Sequence, residues 1–139
     1  MPRLPGSQPD VFLVDTSVWI EVFKKNSVLR IEQVVSIDEM VTCLPIVQEV
    51  LQGFRDDLAF RRAREAMLAF PCLDSPLPLA VVDDAVGLYR TARKRGLTIR
   101  SSVDCLIAAS AIRHRIPVLH RDRDYDKLAR VSDLEQRAL

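Results

Sequence analysis

Short apolar runs bounded by acids alternate with amphipathic stretches along this chain. Residues 11–14, VFLV, lie between Asp10 and Asp15 and predict a strand buried on both faces of a parallel sheet. Thr16 and Ser17 then open a helix through VWIEVFKK, with Asp15 or a hydroxyl available to cap its free N–H groups. Residues 28–37 form a second helical candidate and residues 40–44, MVTCL, a second strand. Pro45 suits a first helical position. Behind it Val47, Val50, Leu51 and Phe54 make one apolar stripe, with Glu49 on the opposite side of the wheel. Residues 57–70 continue helically, so that two helices can pair as an arm.

Residues 71–78 are a proline-punctuated break with room for a short edge strand at Cys72 and Leu73. Residues 79–95 predict a long helix with Val82, Val86, Tyr89 and Ala92 toward a core, stopped by Gly96. Ser101 precedes Asp104 by three positions, the spacing of a capping box, and an alanine-rich helix follows. Val118 and Leu119 then form a strand core, His120 to Asp124 leaves it, and residues 126–129 start a last short helix. Strand and helix alternate, which predicts an α/β sandwich with a mainly parallel sheet.

The 139 residues suit one domain, read as residues 11–139 behind a flexible extension of residues 1–10. That extension has three prolines and no apolar core of a signal peptide, and no stretch of the chain reads as a membrane span. Cys43, Cys72 and Cys105 have no zinc or disulfide spacing and read as buried free thiols of a cytoplasmic protein. A net charge of +1 makes no case for nucleic acid, so any such case must come from local charge placement. Gly6, Gly53, Gly87 and Gly96 form no phosphate-cradling cluster, which argues against ATP-dependent chemistry.

The chemistry is carried by acids. Asp15 follows the first strand, Glu49 stands one helix turn past the second, Asp104 opens a helix, and Asp122 and Asp124 follow the strand at Val118. In a parallel sheet all strand exits share one edge, where open α/β sheets place their ligand crevice. Carboxylates a few ångströms apart repel by about 4 kcal/mol per pair at an effective dielectric of about 20, so such a cluster calls for a cation. Oxygen-only ligation favours Mg²⁺ or Mn²⁺ over zinc. Each acid also has a plain reading, as an N-cap (Asp15), a capping-box acid (Asp104), a solvated helix residue (Glu49) or a surface turn (Asp122, Asp124). Their coincidence at strand exits is what favours the metal.

The segments VFLVDTSVWIE, EVLQGF and SSVDCLIAASAIRHRIPVLHRDRDYDKLA together resemble the PIN-domain ribonucleases, specifically the VapC toxins of toxin–antitoxin pairs. The likeness spans residues 11–129 and implies a PIN-like three-layer α/β/α sandwich. It implies a Mg²⁺- or Mn²⁺-dependent endoribonuclease that cuts RNA, with transfer or ribosomal RNA as the expected target, and so inhibits translation. Carried over by position, Asp15, Glu49, Asp104 and Asp122 are the four acids, with Asp124 sharing or supporting the last and Glu49 reaching metal through water. Thr16 or Ser17 matches the hydroxyl after the first acid. The resemblance further implies a homodimer, a heterotetramer or larger assembly with a VapB-like antitoxin, and an antitoxin groove near Trp19, Val50, Leu51, Phe54, Leu58 and Phe60. Two other classes compete: a non-catalytic PIN-like interaction module, and a phosphatase with Asp15 as nucleophile. The second is weakened by Ser17, where haloacid-dehalogenase-like enzymes want a second Asp.

Overall fold

The computed structural model describes residues 11–139, and the expected N-terminal extension lies outside them. Strands β1 (Phe12–Val14), β2 (Met40–Cys43), β3 (Cys72–Leu73), β4 (Val118–His120) and β5 (Gln136–Ala138) form one sheet in the order β3-β2-β1-β4-β5. All four pairings are parallel, with Leu13 in register with both Val41 and Val118. The helices are α1 (Thr16–Phe23), α2 (Leu44–Gln52), α3 (Asp57–Leu68), α4 (Leu79–Lys94), α5 (Ser102–His114) and α6 (Arg123–Arg130). With right-handed crossovers, the step from β1 to β2 to β3 puts α1–α3 on one face, and the return to β4 and β5 puts α4–α6 on the other. The chain therefore folds as the expected three-layer α/β/α sandwich around a parallel sheet.

The reversal of strand order falls between β1 and β4. A crevice opens outside the carboxyl ends of two adjacent strands at such a point. The centre beneath it is dry: Leu13, Val14, Val118 and Leu119 have no solvent exposure. Ala108, Ala109 and Ala111 are buried on α5, and their small side chains let that helix lie close to the sheet. Gly96, at φ +73°, closes α4 with the Leu97 N–H donating to the Ala92 carbonyl, the six-to-one bond of a Schellman cap. Among the described residues no helix is long and apolar enough to cross a membrane.

Several expectations need correction. Residues 28–37 do not form an α-helix but two 3₁₀ turns, Ile31–Gln33 and Ile37–Glu39: the stretch buries only Ile31 and Val35, with Leu29 partly covered, and leaves Val28 and Ile37 in solvent. The buried stripe of α4 is Val81, Ala85 and Ala92, whereas Val82, Val86 and Tyr89 are exposed by 36%, 52% and 38%. Ala92 is buried as expected, but the residues packed inward beside it are Val81 and Ala85, while Val82, Val86 and Tyr89 border an open cavity with Ser102 and Leu106 of α5. The last helix begins at Arg123 rather than residue 126, because Asp122 caps it. Strand β5 had no sequence signal, since two of its three residues are exposed and polarity masks an edge strand. Cys72 is exposed rather than buried, while Cys43 and Cys105 are buried as expected.

Candidate metal centre

The first acid is placed by the end of β1. Asp15 caps α1, and its Oδ2 accepts the Ser17 N–H at 3.0 Å and the Ser17 hydroxyl at 2.5 Å. Ser17 Oγ in turn accepts the Arg121 N–H from the β4 exit at 2.9 Å, so one serine ties the two strand ends together. Of the two candidate hydroxyls, Ser17 therefore serves Asp15, while Thr16 donates to Glu49 Oε1 at 2.9 Å across the α1–α2 contact.

The expected capping box at the start of α5 does not form. Ser101 makes no side-chain cap, and the backbone N–H groups of Arg100 and Ser101 donate instead to Asp124 Oδ2, at 2.9 and 3.1 Å. An acid from α6 thus anchors the segment entering α5 and takes the Ser101 N–H that a capping box would give to Asp104, leaving Asp104 free to face the crevice. Asp104 is 4% exposed, and its Oδ2 is buried with no hydrogen-bond partner. Carboxylate oxygens of Asp104, Asp122 and Asp124 all lie within 4.8 Å of one another. Asp122 Oδ1 accepts the Asp124 N–H at 2.9 Å, while Asp124 also faces the Lys127 ammonium at 3.9 Å. Asp124 is thus largely committed to structure, and Asp122 is the freer of the pair.

Asp15 and Glu49 lie outside this tight triplet but are coupled to it. Tyr125, absent from the sequence-based candidates, donates its phenol to Asp15 Oδ1 at 2.6 Å and stands 3.4 Å from Asp104 Oδ1. The only sequence signal for it was its place between Asp124 and Asp126, and a lone Tyr in an acidic turn is more often core. His120, read as a strand end, is that and more: its Nδ1 accepts the Asp122 N–H at 3.1 Å and its Nε2 meets Gln136 Oε1 on β5.

Burial pushes the Asp104 carboxyl up to about 9, with Asp122 beside it and the charges of Asp15 and Asp124 adding in the same direction. Glu49 is also raised, first by desolvation and then by Asp15 and Asp122, against the opposing hydrogen bond from Thr16. Without a cation the cluster holds protons it would lose in water. An oxygen-only donor set with an orphaned buried carboxylate oxygen fits a hard divalent ion, and zinc's usual nitrogen and sulfur donors are missing from the triplet.

The candidate groove splits. Val50 and Phe54 line an open apolar cavity of about 550 Å³ with Ile20 and Phe23, rimmed by Lys24, Lys25, Arg55 and Asp56, with Lys24 paired to Glu21 at 2.6 Å. Leu58 is 49% exposed nearby on α3, and Leu51 and Phe60 are half-buried. Trp19 does not line it: at 5% exposure it is core, its ring against Phe23 and Phe70.

A PIN-domain family model matches residues 12–131. The chain is 36% identical over 136 residues to ribonuclease VapC11 of Mycobacterium tuberculosis, a match covering 90% of this chain and 96% of that protein. It matches a VapC ribonuclease of Mycobacterium bovis to the same extent. Among solved structures, VapBC-5 of Mycobacterium tuberculosis, a member of the VapBC family of toxin–antitoxin systems, superposes with a TM-score of 0.71 at 18% identity, covering 94% of this chain and all of that one. VapBC2 of Rickettsia felis, bound to a promoter DNA fragment, gives 0.72 at 12% identity, covering 93% and 98%.

Proposed function

The chain belongs to the PIN-domain family, in its VapC group, and from that premise we propose that it is the toxin of a toxin–antitoxin pair, a metal-dependent endoribonuclease that inhibits translation. The observation that carries the reading is the triplet of Asp104, Asp122 and Asp124, with Asp104 Oδ2 buried and unpartnered. Asp104 and Asp122 would hold Mg²⁺ or Mn²⁺ together with Asp15, and Asp124 supports them by fixing the start of α5. When bound, the cation supplies Lewis-acid stabilisation of phosphate charge and acidifies a water.

The chain's own residues do the rest. Ser17 fixes Asp15 through its backbone N–H and its hydroxyl. Glu49, whose proton affinity is raised, is suited to hold a proton of the attacking water at Oε2 while Oε1 stays with Thr16. Lys127, whose ammonium stands 3.9 Å from Asp124, and the exposed Arg100 and Arg123 on the segments that enter the cluster are the cations available to the RNA backbone, while Arg121 is paired with Glu21. Hydrolysis by an activated water leaves a 5′-phosphate and a 3′-hydroxyl, with transfer or ribosomal RNA as the target class.

The remaining parts of the reading are an antitoxin, a homodimer and a cytoplasmic place of action, with residues 11–139 as one domain. A VapB-like segment would lie in the cavity of Val50 and Phe54, its acidic side chains meeting Lys25 and Arg55. A second copy would cover Val82, Val86 and Tyr89 of α4, which border a further apolar cavity of about 330 Å³ with Leu106. The test is to map new 5′-phosphate ends in cellular RNA after expression of the wild type and of Asp104→Asn. Discrete new ends with the wild type alone are expected. Equal cleavage by both removes Asp104 from the site, and no new ends from either overturns the nuclease assignment.

A further inference from the structure

Tyr125 is the largest fully buried side chain among the described residues, and its hydroxyl is buried with it. A phenylalanine would fill the same space in α6 without the cost of burying a hydroxyl. The hydroxyl instead reaches two acids contributed by segments far apart in sequence, Asp15 after β1 at 2.6 Å and Asp104 on α5 at 3.4 Å. Its ring rests on His120, with centroids 4.9 Å apart, and His120 holds the Asp122 N–H. One residue therefore touches, directly or through a single neighbour, Asp15, Asp104 and Asp122.

We propose that Tyr125 is a positioning residue of the metal centre, whose hydroxyl holds Asp15 beside Asp104 before a cation arrives. Ser17 grips Oδ2 of Asp15 and Tyr125 grips Oδ1, so the carboxylate cannot swing away from its neighbours under their mutual repulsion. Oδ2 is committed to its two donors from Ser17, whereas Oδ1 accepts only the Tyr125 hydroxyl and keeps a second lone pair for a cation. Hydrogen bonds of this kind, made to a ligand rather than to the metal, orient the ligand, and their loss typically weakens metal binding about 10–100-fold. The inference rests on the acids being a metal centre.

The test measures Mn²⁺ affinity by titration calorimetry on the whole chain, in the wild type and in Tyr125→Phe, alongside the metal-free melting temperature. The expected result is binding weakened about 10-fold or more. A merely structural hydroxyl would shift the melting temperature and leave affinity alone. Two analogues at position 125 keep the volume and so guard against a misfolded variant: 4-aminophenylalanine retains a para donor and should recover affinity, while 4-methylphenylalanine should behave as phenylalanine does. Affinity within twofold of wild type for Tyr125→Phe, or equal affinity for the two analogues, overturns the positioning role alone. A wild type with no Mn²⁺ affinity at millimolar metal overturns the metal reading and the role of Tyr125 with it.

Discussion

Asp104→Asn should make the metal-free protein more stable at alkaline pH, although it removes the acid at the centre of the site. Two full charges 4.8 Å apart repel by about 3.5 kcal/mol at an effective dielectric of about 20, and Asp104 has two such neighbours in Asp122 and Asp124. The folded protein avoids much of this by keeping Asp104 protonated up to about pH 9, far above the ordinary value of 3.8. A carboxyl raised in this way binds its proton more tightly in the folded than in the unfolded chain. Stability is therefore unaffected below about pH 4 and falls as pH rises from there through 9. Asparagine is neutral throughout and escapes the loss. After relaxation and water penetration a gain of about 1–3 kcal/mol is reasonable at pH 8, or roughly 4–12 °C for a domain of this size. Thermal melts in chelator at pH 5 and pH 8 give the measurement: the variant's advantage should be small at the first and clear at the second. Millimolar Mg²⁺ or Mn²⁺ should then raise the melting temperature of the wild type and do little for the variant. A metal-free variant that melts below wild type at pH 8, or a gap that does not widen between the two pH values, would refute the reasoning.

The two acids of the last motif should separate by stability. Asp124→Ala strips two backbone N–H groups at the start of α5 of their acceptor and should cost about 2–3 kcal/mol, whereas Asp122→Ala loses one cap and should cost about 1 kcal/mol while abolishing metal binding, as denaturant melts and calorimetry would read. Arg115, which ends α5 at φ +53°, should tolerate Arg115→Gly with a gain of about 0.5–1 kcal/mol in the same melts, because glycine meets no Cβ penalty there.

The architecture was legible because buried parallel strands announce themselves as unbroken apolar runs, as at residues 11–14 and at Val118 and Leu119, and because acids sit at their exits. What stayed hidden were choices made between distant segments. Ser101-x-x-Asp104 has the spacing of a local cap, yet the Ser101 N–H that Asp104 would accept goes to Asp124, 23 positions away. The inward face of α4 depends on where α5 and the sheet lie, which no helical wheel contains. Strand β5 exists because β4 offers it an edge, with Gln136, Arg137 and Ala138 in register against Val118, Leu119 and His120. Tyr125 reads as ordinary core until Asp15, 110 positions earlier, is brought to its hydroxyl.

The pairing of β1 with β4 joins residues about a hundred positions apart, and that distance bears on kinetics. The acids of the two halves meet only after the slowest loop closure is complete, so their repulsion is absent from the encounter and acts on the finished fold. Metal should then leave the refolding rate nearly unchanged and slow unfolding instead, lowering only the unfolding limb of a chevron measured with and without Mn²⁺. A cation bound at the junction of β1 and β4 would act as a latch rather than as a folding nucleus.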